Sequence, residues 1–183
     1  MTEQIRPAVA SDVDAMVDLA RKRREAYAEY EPVFWRQADD AERAHQPFLA
    51  SLVSDADAIV LVSEDSGRIT GFIIVTLAKA PPVYDPGGLT ALIDDFTVEP
   101  GKWLSAGADL LRTALDAASQ RGAVQAIVVT AHLDEQKRRT LQAAGLHIAS
   151  EWWLTSVFPT RVDSVRASGS GSLRDRGSTC GGR

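Results

Sequence analysis

Along the chain the spacing of apolar residues switches between two and about 3.6, and the switches predict the elements. Residues 5–9 form a short strand. Ser11 is placed as an N-cap, with Asp12 and Asp14 in the first turn of a helix. The buried stripe of that helix is Val13, Met16, Val17, Ala20, the stem of Arg24, Tyr27 and Ala28, and Glu31-Pro32 closes it. Residues 38–53 give a second helical segment, interrupted near Pro47. Residues 58–63 and 69–77 are strands joined by Glu64-Asp65-Ser66-Gly67, a hairpin signal.

Pro81, Pro82, Pro86, Gly87 and Gly88 mark a loop, after which residues 90–98 form a strand running into Pro100-Gly101. Residues 104–120 carry Leu110, Leu111, Ala114, Leu115 and Ala118 on one helical face and close on Gly122. Residues 124–130 are almost wholly apolar, the mark of a central strand buried on both faces. Asp134 caps a helix ended by Gly145, and residues 147–157 are expected as a last strand. The order is β α α β β β α β α β, an α/β domain over residues 1–158 with no internal repeat. Residues 159–183, rich in Gly, Ser and Arg, lack the apolar surface to offset the entropy of ordering and are expected as a disordered tail.

Composition narrows the picture. With 183 residues and 45% of them apolar, the chain can fill one core. No apolar run nears the roughly 18 to 20 residues of a membrane span, and the opening lacks the basic-then-apolar order of a secretory signal. A cytoplasmic address and no membrane partner are therefore expected. The lone Cys180 rules out an internal disulfide framework and a cysteine-based zinc site, and no HExxH or carboxylate cluster suggests a metal. In the tail five arginines face two aspartates, a balance of +3, which leaves −8 on the body of a chain whose total is −5. That acidity argues against nucleic acid and is compatible with cationic small molecules.

Three segments in order, IRPAVASDVDAM, IDDFTVEPGKWLSAGADLL and RRTLQAAGLHIASEW, resemble the GNAT acyltransferase superfamily, whose usual forms are IRxAxxxD, VxPxxRxxGxGxxLL and LYxxxGF. The resemblance covers residues 5–157. It implies a mixed, mostly antiparallel central sheet flanked by helices and splayed at the cofactor site. It also implies transfer of an acetyl group from acetyl-CoA to a primary amine of a small molecule or peptide, by direct attack in a ternary complex. The short last strand is an edge that invites pairing, so the sheet is completed either by one chain alone or in a homodimer. The physics of the central segment stands beside this. A strand delivers the chain to a tight loop, and the following first helical turn offers free N–H groups at the positive end of a dipole, a diphosphate site. Ser105, Ala106, Gly107 and Ala108 are small enough for close approach; a glycine-bearing helix start packed on the sheet is the other reading.

By the resemblance, backbone groups of Phe96, Thr97 and Val98 hold the pantetheine and thioester, and Lys102, Trp103, Leu104 and Ser105 to Ala108 hold the diphosphate. The chain departs from the family at Trp103, where an Arg or Gln is usual, and at Ala106, usually glycine. Leu141 and Leu146 stand at the family's tyrosine and phenylalanine, so the usual tyrosine acid is missing. Lys102 either replaces the lost positive charge or is solvated.

Aminolysis of a thioester needs a base to free the amine of its proton. Asp94 is the first candidate and Asp95 the second, IDDFTV resembling the LEDFFV-type segment of small-amine acetyltransferases. Neighbours on a strand face opposite sides, so only one lines a cleft, and either could instead cap a turn or pair with an arginine. His132 is a second-line acid or base, or a solvent-facing histidine. Tyr27, Tyr30, Phe34 and Trp35 with Glu29 and Glu31 suit a cationic amine, with Tyr84 and Asp85 closing from the other side; the other reading is that the aromatics fasten two helices to the sheet. Lys137, Arg138 and Arg139 fall either near the nucleotide end of CoA or on a solvated helix face. The rival function is a non-catalytic acyl-CoA-binding regulatory or protein-interaction module, because Trp103, Ala106 and Leu141 all weaken the family's chemistry.

Overall fold

The computed structural model describes residues 3–157; the expected tail from residue 159, with Cys180, lies outside the described residues. The sheet is built from β1 (Gln4–Pro7), β2 (Ile59–Asp65), β3 (Arg68–Ala78), β4 (Leu89–Ile93), β5 (Phe96–Val98) and β6 (Ala123–Val128). Its order is β1-β2-β3-β4-β6, with β5 also pairing with β3. Every pair is antiparallel except β4 with β6. Four helices flank it: α1 (Val13–Tyr30), α2 (Ala41–Ser54), α3 (Ala108–Gln120) and α4 (Glu135–Ala143).

The β2–β3 hairpin turns through Ser66 (φ 54°) and Gly67 (φ 80°), the two left-handed residues of a turn whose twist matches its strands. Successive side chains then divide between the two faces. Val60, Val62, Phe72 and Ile74 pack with Val13, Met16, Leu19 and Leu49 of α1 and α2. Ile59, Leu61, Ile73 and Val75 pack with Leu110, Leu111 and Ala114 of α3. Helices thus cover both faces of β2 and β3, which explains their continuous apolar runs.

The start of α1 differs from expectation. Ser11 is not the cap; a 3-10 turn, Ala10–Asp12, leads into the helix. Asp12 accepts from the Val9 N–H at 2.8 Å and receives the fork of Arg6 at 2.7 and 2.9 Å. A carboxylate that meets both a free amide and a guanidinium outcompetes a neutral hydroxyl one residue earlier.

Strand 90–98 is broken at Asp94-Asp95 into β4 and β5. β5 can lie against β3 because Gly71 sits opposite Val98: a Cβ there would stand 2.5 Å from Val98 Cγ1 and 3.1 Å from Thr97 O. Gly71→Val should therefore push β5 away and cost about 1–3 kcal/mol, the usual range for overpacking, read as a lower urea midpoint.

Two expectations near the C-terminal end are corrected. Residues 147–157 form no strand, and Trp152 and Trp153 are 85% and 90% exposed. As a result β6 ends the sheet instead of lying in its middle, and Val124, Ile127 and Val129 are exposed. Its apolar run anticipates a neighbour that no described residue supplies. No helix among the described residues is long and apolar enough to cross a membrane.

Candidate active site

The parallel pairing of β4 with β6 runs to Ile93 opposite Val128, followed by one more bond from Val129 N–H to Ile93 O at 2.9 Å. Past that point the chain breaks at Asp94-Asp95, and β5 keeps only β3 as a partner. Asp95 O accepts from Ile74 N–H and Glu99 N–H donates to Thr70 O, both at 2.8 Å. Asp95, Thr97 and Glu99 thus face β3. Phe96 and Val98, by the alternation of a strand, turn their main-chain groups into the gap between β5 and the chain leaving β6.

Two cations reach this gap from opposite faces of the sheet. Arg23 of α1 donates to Phe96 O at 3.1 Å, and Lys137 of α4 donates to the same oxygen at 3.1 Å and to Val129 O at 2.8 Å. Lys137 is fully buried, with its ammonium 5.3 Å from the Phe96 ring centre and 5.9 Å from that of Trp103. Burial pushes its pKa down to about 7; Arg23 adds to the fall, while Asp134, Asp95 and Asp94 oppose it. The basic run at 137–139 is therefore not a single solvated face. Lys137 points inward, Arg138 holds His132 O at 2.6 Å and Arg139 pairs with Glu135 at 3.1 Å.

On the far side of β5, Gly101 (φ 81°) turns the chain into one π turn, Trp103–Gly107, that opens α3. Lys102 O accepts from both Ser105 N–H (3.3 Å) and Gly107 N–H (3.0 Å). The remaining amides of this first turn have no carbonyl ahead of them, as at any helix start. Leu104 and Ser105 are exposed, Ala106 and Gly107 are buried and Ala108 is half-buried. The methyl of Ala106 belongs to the core cluster, so its bulk lies inside the fold. Trp103 is buried, edge-on to Phe96 at 5.0 Å, and its carbonyl accepts from Thr140 Oγ1 at 3.0 Å. A Cβ on Gly107 would meet Trp103 Cε3 at 3.1 Å, so the indole needs that glycine. Lys102 binds Glu3 at 3.0 Å and Asp65 at 3.3 Å. Its hydrogen bond to Glu3 leads the rise in its pKa, and its charge is spent within the fold.

A cavity of about 410 Å³ opens beside the break, lined by Arg23, Arg24, Tyr27, Trp35, His45, Phe48, Asp94 and Asp95 among others. The two aspartates differ. Asp95 is largely buried, bound to Arg23 and 3.6 Å from His45 Nε2. Burial alone would raise its pKa, but the His45 contact and the Arg23 charge outweigh it and hold the carboxyl down to about 2. Asp94 is exposed and borders the cavity. Arg24 meets His45 Nδ1 at 2.7 Å, which leaves the His45 proton on Nε2, toward Asp95. The other two nitrogens of Arg24, Nε and Nη2, are buried without partners among the described residues, and burial lowers its pKa.

Of the aromatic residues, Tyr27, Phe34 and Trp35 line the cavity. The Tyr27 ring packs tilted at 59° against Trp35 at 5.0 Å, and its hydroxyl donates to Asp134 at 2.9 Å. Burial, then Asp134, pushes that phenol up to about 12. Tyr30 lies behind, 5.9 Å from Tyr27, and neither Glu29 nor Glu31 borders the space. Tyr84 is 72% exposed, and neither it nor Asp85 reaches the cavity; His132 is exposed as well. The cradle is thus aromatic but not acidic. Sequence reading gave Arg23 and His45 no place in the site, and it set Lys137 near the nucleotide end of CoA or on a solvated face, not at the gap. Lys137 carried a signal: it sits three and four residues before Thr140 and Leu141, on the inward stripe of α4.

No protein-family model matches the sequence, and no curated protein does. Solved structures do. A tetramutant of the BH1408 protein from Bacillus halodurans has a TM-score of 0.71 at 16% identity, over 84% of this chain and 99% of that one. A predicted acetyltransferase with acetyl-CoA from Clostridium acetobutylicum has 0.64 at 16%, over 85% and 96%. An aminoglycoside 6'-N-acetyltransferase from Acinetobacter haemolyticus has 0.62 at 14%, over 85% and 99%. The chain has the GNAT fold. At these identities the likeness is one of architecture.

Proposed function

We propose that the protein is an N-acetyltransferase that moves the acetyl group of acetyl-CoA to a primary amine of a small acceptor carrying an anionic group of its own. The observation behind this reading is the splayed gap, with main-chain groups of Phe96 and Val98 turned into it and the helix start at Trp103 on one side. Those donors suit an acyl-CoA: a strand edge for the amide-rich pantetheine, and free amides at the positive end of α3 for the diphosphate. Since Lys102 is already paired, the diphosphate relies on main-chain donors.

The cavity beside Asp94 is the acceptor site in this reading, and its volume suits a small molecule. Arg23 and Asp95 neutralise each other, which leaves Arg24 and Arg36 facing Asp94 across the lining. A polycation meets net positive charge there. An amine that also bears a carboxylate or similar anion offers its nitrogen to Asp94 and its anion to the surplus positive charge of the lining. Asp94 is the base that accepts the amine's proton. Asp95, tied to Arg23 and His45, keeps the break in shape.

Two measurements test the reading. Acetyl-CoA at 100 times its dissociation constant should stabilise the protein by about 2.7 kcal/mol in a thermal melt. An acceptor panel read by CoA release should favour amines with an anionic group over polyamines and aminoglycosides. Stabilisation without release from any acceptor would support the regulatory module instead; preference for polycations would refute the acceptor class alone.

A further inference from the structure

Breaking a thioester leaves a thiolate, and the groups bordering the gap differ in their ability to protonate it. Asp95 stays ionised between Arg23 and His45. The Tyr27 hydroxyl is committed to Asp134, and the single proton of Thr140 Oγ1 is shared between Trp103 O and Gln136 O. Leu141, on the next turn of α4, has no proton to give. Lys137 is different in kind. Its ammonium has three N–H bonds, of which Phe96 O and Val129 O take two, so it spans the two strands where they part.

Resting on the acetyltransferase reading above, we propose that Lys137 is the general acid of the transfer, giving its third proton to the CoA thiolate as the acyl group leaves. The amine nitrogen bonds to the carbonyl carbon, the carbon–sulfur bond breaks, the sulfur takes a proton from Lys137 Nζ, and the amine's surplus proton goes to Asp94. Lys137 is left neutral and regains its proton from solvent between turnovers.

The surroundings suit a group that must exist in both states. Arg23 from α1 repels the ammonium, while Asp134 at the cap of α4 and Asp94 and Asp95 from the strand break attract it. The Phe96 and Trp103 rings exclude water while offering their π faces. Burial brings the ammonium near neutrality, so that losing a proton is accessible near pH 7. Trp103 and Leu141, which looked like losses, make the apolar housing for this lysine.

The test compares wild type with Lys137→Gln, whose amide still donates two hydrogen bonds but cannot deliver a proton, using acetyl-CoA and the best acceptor. The variant should keep acetyl-CoA affinity within a few-fold by equilibrium titration, lose about 10²-fold or more in kcat, and lose the alkaline fall of the kcat–pH profile. An unchanged kcat, or an alkaline fall that survives the substitution, overturns the assignment. Where the variant does not fold, wild type alone decides: a kcat that keeps rising to pH 10 overturns it, and a fall supports it. Wild type that neither binds acetyl-CoA nor releases CoA refutes the acetyltransferase reading itself; an active wild type matched by the variant refutes only the role of Lys137.

Discussion

Arg23→Met should cost the folded state about 3–5 kcal/mol, the range for removing one partner of a buried ion pair, and adding Asp95→Asn should return much of it. Arg23 does two things at once: it neutralises Asp95 and donates to Phe96 O. Without it a largely buried carboxylate keeps only His45, at 3.6 Å. The double variant removes the stranded charge, so urea unfolding of all four proteins should show a coupling well above the few tenths expected of independent sites. The pH dependence has a definite sign. Asp95 has a depressed pKa when folded, about 2, against roughly 3.9 unfolded. Its contribution is whole above the unfolded value and disappears as pH falls toward 2. The gap in stability between wild type and Arg23→Met should therefore shrink in that acid window. A constant gap would mean that packing, not charge, carries the cost.

Asp94→Asn should lower kcat by about 10²–10⁴-fold, the usual worth of a general base, with little change in stability. The two aspartates are adjacent in sequence and opposite in role. Asp94 is exposed at the cavity and forms no ion pair among the described residues, so no fold contact is lost with its charge. Acetyl-CoA affinity should hold, and the acid limb of kcat/KM should vanish. Asp95→Asn should show the converse, a loss of stability that accompanies any loss of rate. An Asp94→Asn enzyme with wild-type kcat at every pH would remove Asp94 from the mechanism.

How far the sequence could be read depended on range. The Ser66-Gly67 hairpin, the α3 stripe and the glycine stops at 122 and 145 follow from local geometry, and all appear. Ser11 failed as a cap because its rival Asp12 draws on Arg6, six residues away and on another element. The central place expected for β6 failed for a longer-range reason: an apolar run specifies that a strand wants cover, not whether residues 147–157 provide it. The site divided in the same way. Asp94, Tyr27 and Trp35 were visible as motif or aromatic cluster. The ion pair of Arg23 with Asp95 joins residues 72 apart, and Lys137 reaches Phe96 across 41, distances over which side-chain spacing says nothing.

The contact between Trp103 and Lys137 bears on how such a chain can change. The indole stands where the resembled loop motif has an Arg or Gln, and the ammonium lies 5.9 Å from its ring. Arginine restored at position 103 alone would set a second guanidinium, beside Arg23, against a lysine with no room to withdraw. Loss of the lysine alone would leave Phe96 O and Val129 O without that donor. The two positions are therefore coupled: a charge introduced at 103 would meet the charge already held at 137.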